Sequence, residues 1–256
     1  MGKIIAIANQ KGGVGKTTTA VNLAAALGAA GKRVLLLDSD PQGNTTSGYG
    51  ISKKQVSLSV YDVILGSASA EEATLQTPFQ NVWLIPGGMD LAGAELELSD
   101  MDKRTARLRI ALAPVRDAYD FILIDCPPSL GLVTINDLCA ADSLLIPIQC
   151  EYYALEGLSQ LIATVRRIKQ SANPDLTIEG VLLTMYDGRL NLTRQVVNEV
   201  KRFFPGKVFA TAIPRAVRLS EAPSFGMPVL YYDARSKGTA AYTQLAGELL
   251  NNQRKR

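Results

Sequence analysis

The sequence contains no histidine. That absence removes the side chain that most often serves as a general base near neutral pH, and with it the commonest metal ligand. Chemistry performed by this chain must therefore run on carboxylates, lysines and a bound metal ion. Cysteine is scarce as well: Cys126, Cys139 and Cys150 are an odd number without a CxxC spacing. They form neither a disulfide framework nor a zinc motif, and buried free thiols are expected. No stretch approaches the roughly 20 apolar residues of a membrane-spanning helix. The N-terminus runs into a strand-like segment, Lys3 to Asn9, instead of the basic and apolar regions of a signal peptide. The expected location is the cytoplasm.

What the chain does have is apolar residues, 47% of 256, ample for one large core and a single domain over 1–256. Short continuous apolar runs recur: Ile4 to Ala8, Val34 to Leu37, Val82 to Ile85, Phe121 to Ile124, Ser143 to Ile148, Ile178 to Thr184 and Val208 to Ile213. Continuous runs, as opposed to alternating ones, are the pattern of strands buried on both faces. Helical patterns lie between them: Lys16 to Ala30, Thr105 to Ala118, Ala154 to Ser171 and Leu192 to Phe204. Gly31 closes the first, and Asn173-Pro174 follows the one ending near Ser171. This alternation predicts an α/β fold with a mostly parallel, twisted sheet covered by helices on both faces. The segment Ile51 to Thr77 is the least legible, with Ser, Ala and Glu but little periodicity. Charge is uneven. From Tyr186 to Arg256 twelve Lys and Arg stand against five Asp and Glu, although the whole chain carries only +3. A basic region of this kind is either a solvated face or the footprint of an anionic partner such as DNA.

The most specific signal follows the first strand: Lys11-Gly12-Gly13-Val14-Gly15-Lys16-Thr17-Thr18, opening directly into a helix. A glycine-rich loop there turns backbone N–H groups and the positive helix end toward an anion. The ordinary phosphate loop is GxxxxGK[ST], whose first glycine would fall at position 10, where this chain has Gln10. A second lysine, Lys11, precedes Lys16 by five residues instead. Lys16 is a point charge suited to the β and γ phosphates, and Thr17 can ligate Mg²⁺. Backbone groups of Gly13 to Thr18, with the Thr18 hydroxyl, suit the remaining phosphate oxygens. Two carboxylate motifs complete the pattern. The second strand ends in Asp38-Ser39-Asp40-Pro41-Gln42-Gly43-Asn44, a turn at the sheet edge where such folds bind ligands. The fourth apolar run ends in Asp125-Cys126-Pro127-Pro128 and delivers one carboxylate, as a Walker B strand does for a metal.

These motifs, with the late segment Ile213-Pro214-Arg215-Ala216-Val217-Arg218-Leu219-Ser220-Glu221-Ala222-Pro223-Ser224, together resemble the ParA/Soj branch of the ParA/MinD partitioning ATPases. The resemblance runs over essentially the whole chain and implies a deviant Walker A P-loop ATPase using ATP and Mg²⁺. It implies an ATP-dependent homodimer in which Lys11 of each subunit reaches the phosphates bound by the other. By the same resemblance Asp40 acts on the attacking water beside the metal, and Asp125 holds Mg²⁺ through water. Gly12 and Val14 belong to the nucleotide loop, and the adenine lies near Pro214 and Arg215. The dimer is expected to bind DNA without sequence preference, with Arg189 and Arg218 as contacts, and so to associate with the nucleoid. A ParB/Spo0J-like centromere-binding protein would stimulate hydrolysis and release it. A site with neither histidine nor an arginine finger is expected to turn over slowly, since electrostatic stabilisation dominates such chemistry.

Other readings compete. A MinD-like division-site ATPase needs a C-terminal amphipathic helix to reach a membrane, and the tail Glu248 to Arg256 has little apolar face. No membrane partner is expected. The nitrogenase iron-protein branch needs cluster cysteines, and Gly87 to Arg104 contains none. A regulatory protein using ATP to gate partner contacts, in division or replication control, would carry the same switch. The first strand begins a few residues after Met1, so an N-terminal helix-turn-helix domain and operator binding are not expected.

Overall fold

The computed structural model describes residues 2–151 and 154–254. Eight strands form one sheet: β1 (Lys3–Ile7), β2 (Val34–Asp38), β3 (Leu75–Gln76), β4 (Val82–Ile85), β5 (Phe121–Asp125), β6 (Ser143–Gln149), β7 (Thr177–Tyr186) and β8 (Val208–Pro214). Their spatial order is β3-β4-β2-β5-β1-β6-β7-β8. Every pairing is parallel except β3 with β4. All seven expected strands are present. The eighth, β3, is two exposed residues on the sheet edge within the unpatterned 51–77 segment, so it has no periodicity to betray it.

The helices in chain order are α1 (Lys16–Ala29), α2 (Asn44–Gly48), α3 (Val60–Leu65), α4 (Ala94–Ser99), α5 (Arg107–Leu112), α6 (Leu132–Ala140), α7 (Ala154–Ser171), α8 (Asn191–Phe203), α9 (Val217–Glu221), α10 (Val229–Tyr232) and α11 (Lys237–Arg254). One expectation needs correction. The helix expected over Thr105 to Ala118 is α5 followed by a separate 3₁₀ turn, Arg116–Ala118. Pro114 lies between them; it has no N–H to give and its ring clashes with the carbonyl four residues back.

The continuous apolar strands are explained by a core on each face of the sheet. Successive residues alternate between the two: Ile4, Ala6, Leu35, Leu37, Ile122 and Ile124 face one, while Ile5, Ile7, Val34, Leu36, Phe121 and Leu123 face the other. Each such fully buried Leu or Ile contributes about 1.5–3 kcal/mol by leaving water. On the second face α11 packs on α1 and β8. Its Tyr242, Leu245 and Leu249 are buried there, so the apolar side of the C-terminal helix is consumed by the core. The last two residues of the tail, Lys255 and Arg256, lie outside the described residues. Cys126, Cys139 and Cys150 are free and buried.

Parallel strands all end at one edge, and β1 stands there between β5 and β6. Ile7 is opposite Asp125, which is also opposite Asp38. The register alone thus sets both strand-end aspartates beside the phosphate loop.

Candidate functional site

The loop joining β1 to α1 is anchored on both sides. The Asn9 side chain donates to the Pro147 carbonyl (2.7 Å) and accepts from the Lys11 N–H (3.0 Å). The Thr184 hydroxyl donates to the Val14 carbonyl (2.8 Å). Gly13 and Gly15 have φ of 74° and 86°, left-handed values that a side chain would strain. Gly15 also caps α1, which has no capping side chain and no acid in its first turn. The first N–H groups of α1 thus retain their positive character and lack a side-chain acceptor, as an anion site requires.

A cavity of about 370 Å³ opens over this helix end, lined by Gly12, Gly13, Gly15, Lys16, Thr17, Thr18, Asp40, Gln42, Asn44, Pro128 and Met185. A second cavity of about 240 Å³ shares Gly15, Thr18 and Met185 with it and extends over Pro214, Arg215, Ala216, Leu219 and Tyr242. The first is the more open and polar, with Lys16 and Asp40 on its wall, the second is more enclosed and more apolar, and they meet at α1. Met185 at the junction has a positive φ of 49°, an uncommon conformation for a non-glycine residue and one that gathers at functional sites. Most residues singled out from the sequence meet here. Val14 does not line the cavity: its side chain is buried beneath the loop and only its backbone takes part. Asp125 stands below the cavity floor, within hydrogen-bond reach of Thr17.

Lys16 is nearly buried, and its Nζ lies 3.4 Å from the Lys11 carbonyl. Burial lowers its pKa, while Asp125, Cys126 and Asp40 oppose that. Lys11 behaves differently: its Nζ contacts Glu151 at 2.8 Å, and that carboxylate also accepts from the Gln149 amide at 2.6 Å. Glu151 had only its place just beyond a strand end to mark it in the sequence.

Three buried carboxyl groups lie behind the loop. Asp38 accepts from both the backbone N–H and the hydroxyl of Thr46, each at 2.7 Å, which makes it a brace for the turn into α2. Asp125 accepts from the Thr45 hydroxyl at 2.7 Å. Burial pushes both above the ordinary carboxylate range, and on Asp125 the neighbouring Asp38 charge adds to it. Asp137 on α6, which no sequence motif indicated, accepts from the Ser39 hydroxyl at 2.9 Å, and burial pushes its carboxyl up to about 8. Asp40 stands apart from this group at the cavity wall, with Oδ1 accepting the Gln42 N–H at 2.9 Å.

The donors fit a magnesium ion. Asp125 Oδ1 is buried without a partner, and Thr17 presents a hydroxyl between it and the cavity. Among the described residues no group of three or more His, Cys, Asp or Glu could hold a metal by itself. Such a sparse set suits Mg²⁺, which keeps several waters and takes substrate phosphate as ligand.

The arginines expected to contact DNA lie away from this cavity lining. Arg189 is highly exposed and forms a two-point pair with Asp187 (2.9 and 2.6 Å), whose carboxyl it holds at about 2. Arg218 contacts Glu221 (2.7 Å) and Asp233 (3.2 Å) and sits over the Tyr232 ring.

A parallel sheet whose central strand leads through a two-lysine glycine loop into a helix without a capping side chain defines a P-loop nucleoside triphosphatase of the deviant kind. Residues 2–178 match a family described as an AAA domain. The chain is 58% identical over 252 residues to the sporulation initiation inhibitor protein Soj of Bacillus subtilis, covering 98% of this chain and all of that one. It is 50% identical to the chromosome partitioning protein ParA of Caulobacter vibrioides, over 99% and 96% of the two chains. Among solved structures it resembles a Mycobacterium smegmatis protein named cobyrinic acid a,c-diamide synthase, solved with ADP and magnesium, with TM-score 0.88, 38% identity and 99% and 96% coverage. The cell-division ATPase MinD of Pyrococcus furiosus matches with TM-score 0.81, 29% identity and 98% and 99% coverage. The chain belongs to the ParA/Soj family of chromosome-partitioning ATPases.

Proposed function

We propose that this chain is a Mg²⁺-ATP switch that closes into a two-fold dimer over two nucleotides, binds DNA in that form without sequence preference, and is reset when a ParB-like partner accelerates hydrolysis. Lys16, the α1 amides and the Thr18 hydroxyl hold the phosphates, and the adenine lies between Pro214-Arg215 and the end of α1. Thr17 would ligate Mg²⁺ and Asp125 would hold its water shell, and the bound ion would supply positive charge to offset that of the phosphates. Asp40 at the cavity wall aligns the attacking water. The observation that carries the reading is the division of labour between two lysines on one loop. Lys16 is buried against Asp125 and Asp40, whereas Lys11 is turned to Glu151 near the surface and is free to exchange that exposed partner for a phosphate. An exposed ion pair is worth about 1 kcal/mol at most, so phosphate on a facing subunit outcompetes it.

The test is Lys11→Gln. The variant is expected to bind a fluorescent ATP analogue as tightly as the parent while remaining monomeric in size-exclusion chromatography with ATP. Two facing triphosphates without in-trans cations repel each other. ATP-dependent dimers of this variant would overturn the sandwich arrangement.

Phosphate contacts carry affinity without sequence information. Both Arg189 and Arg218 are partly neutralised by neighbouring carboxylates, so a monomer presents little net charge at either. Doubling the contacts in a dimer makes DNA binding follow ATP. Arg218→Glu, alone or with Arg189→Glu, is expected to weaken binding on two unrelated duplexes alike and leave dimerisation unchanged. In the parent, log affinity should fall against log salt by about 0.9 per phosphate neutralised. Strong preference for one duplex would favour a specific regulator. Among the described residues no helix is long and apolar enough to cross a membrane, and the buried apolar side of α11 argues against a MinD-like membrane helix. Pelleting of the ATP form with anionic liposomes would revive that reading.

A further inference from the structure

Asp137 is the buried carboxyl group that the nucleotide site itself leaves unexplained. It sits on α6 among apolar neighbours such as Val133 and Leu138, with no exposed surface. One oxygen accepts from Ser39 at 2.9 Å, the Cys126 thiol lies against the carboxyl group, and Oδ2 has no partner. A helix serving only to cover the sheet would carry an apolar residue here, because an incompletely satisfied buried polar group is destabilising. Residues that break such rules are expected where function demands it.

Its contacts indicate the demand. Ser39 lies between the Asp38 brace and Asp40, is itself fully buried, and its N–H donates to the Asp125 carbonyl at 3.0 Å. The strand end Asp125-Cys126-Pro127-Pro128 leads into α6 through Ser129, Leu130 and Gly131, and Pro128 lines the phosphate cavity together with the residues that follow Ser39: Asp40, Gln42 and Asn44. The Ser39–Asp137 bond thus ties the base of the turn that carries Asp40 to the helix into which the Asp125–Pro128 segment leads.

We propose that Asp137 is a positioning residue for hydrolysis, fixing through Ser39 the turn that carries Asp40 against the strand end that carries Asp125. The proposal rests on Asp40 as the water-aligning group. Positioning of this kind is sensitive, since misplacement of about 1 Å can lower a rate about 100-fold. Nucleotide affinity is set by Lys16 and the α1 amides and should not move.

The experiment compares Asp137→Ala, Asp137→Asn, Ser39→Ala and the double alanine variant by steady-state hydrolysis, fluorescent-ATP binding and thermal denaturation. Asp137→Ala is expected to lower kcat about tenfold or more with nucleotide affinity within about twofold. Asp137→Asn keeps an acceptor for Ser39 and should restore most of the rate. Ser39→Ala should match Asp137→Ala, and the double variant should be no worse than either, because one shared bond is lost. An unchanged kcat in Asp137→Ala, an asparagine as poor as alanine, or additive losses would each overturn the proposal. If Asp137→Ala fails to fold, Ser39→Ala decides: full turnover there overturns it. Asp40→Asn run alongside separates the two levels. Full activity in that variant removes both readings, whereas an inactive Asp40→Asn beside a fully active Asp137→Ala removes this one alone.

Discussion

Replacing Lys16 with alanine is expected to abolish ATP binding, weakening it by about 100-fold or more, close to 3 kcal/mol. The size follows from the position of the ammonium. It is nearly buried at the base of the cavity, where burial lowers its pKa and the nearby Asp125 and Asp40 carboxylates act against that. A desolvated cation aimed at a polyanion cannot be replaced by water at equal strength. Alanine would also leave Asp125 and Asp40 facing incoming phosphate without the intervening positive charge. Titration with a fluorescent ATP analogue measures the loss directly. Thermal denaturation supplies an independent readout: saturation at about 100 times the dissociation constant stabilises the parent by about 2.7 kcal/mol, and the variant should show no ATP-dependent shift. Parent-like affinity would take this loop out of the phosphate site.

How much of this could be read beforehand depended on whether the determinant was local. The phosphate loop was legible because strand, glycines, lysines and helix are contiguous, and Gly13 and Gly15 do adopt the left-handed conformation that justifies them. The strands were legible because helices cover both faces, turning alternation into continuous apolar runs. Asp38 and Asp125 could be assigned to the same edge because parallel strands end together. The structure separates their duties further, with Asp38 bound twice by Thr46 and Asp40 left at the cavity wall.

What escaped was assembled from distant segments. Glu151 meets Lys11 across 140 positions and Asp137 meets Ser39 across 98, and neither acid sits in a motif. Met185 carries its positive φ without a glycine or asparagine to announce it. The apolar cavity wall combines Thr184 and Met185 near the end of β7, Leu219 on α9 and Tyr242 on α11, where the family resemblance supplied only Pro214 and Arg215. Helix α11 escaped because its alanines, glycines and asparagines blur the stripe that Tyr242, Leu245 and Leu249 form once packed. The two arginines chosen for DNA were visible as residues; of the acidic partners that hold them, Asp187 is two positions from Arg189 and Glu221 three along α9 from Arg218, and only Asp233 is brought in by the fold.

Asp40→Ala is expected to stop hydrolysis, by about 100-fold or more as the removal of a water-directing base requires, while ATP binding and dimerisation persist. The aspartate lies at the cavity wall, and its backbone and side chain shape a turn: Oδ1 accepts the Gln42 N–H and its carbonyl accepts the Gly43 N–H at 2.8 Å. Alanine removes the carboxylate and also the side-chain half of that turn, so a dead alanine variant would by itself leave chemistry and local folding entangled. Asp40→Asn resolves them. The amide oxygen still accepts from Gln42, the turn is kept, and only the charge that acts on water is gone. Both variants should therefore be inactive, with nucleotide affinity unchanged, because Lys16 and the α1 amides are untouched. Removing a negative charge near the γ phosphate should, if anything, tighten ATP. In size-exclusion chromatography with ATP each should persist as a dimer for as long as the nucleotide stays intact, while the parent reverts to monomer as it hydrolyses. An active Asp40→Asn beside an inactive Asp40→Ala would show that the turn, and not the charge, is what hydrolysis needs. Normal turnover in both would move the role to another group on the same wall.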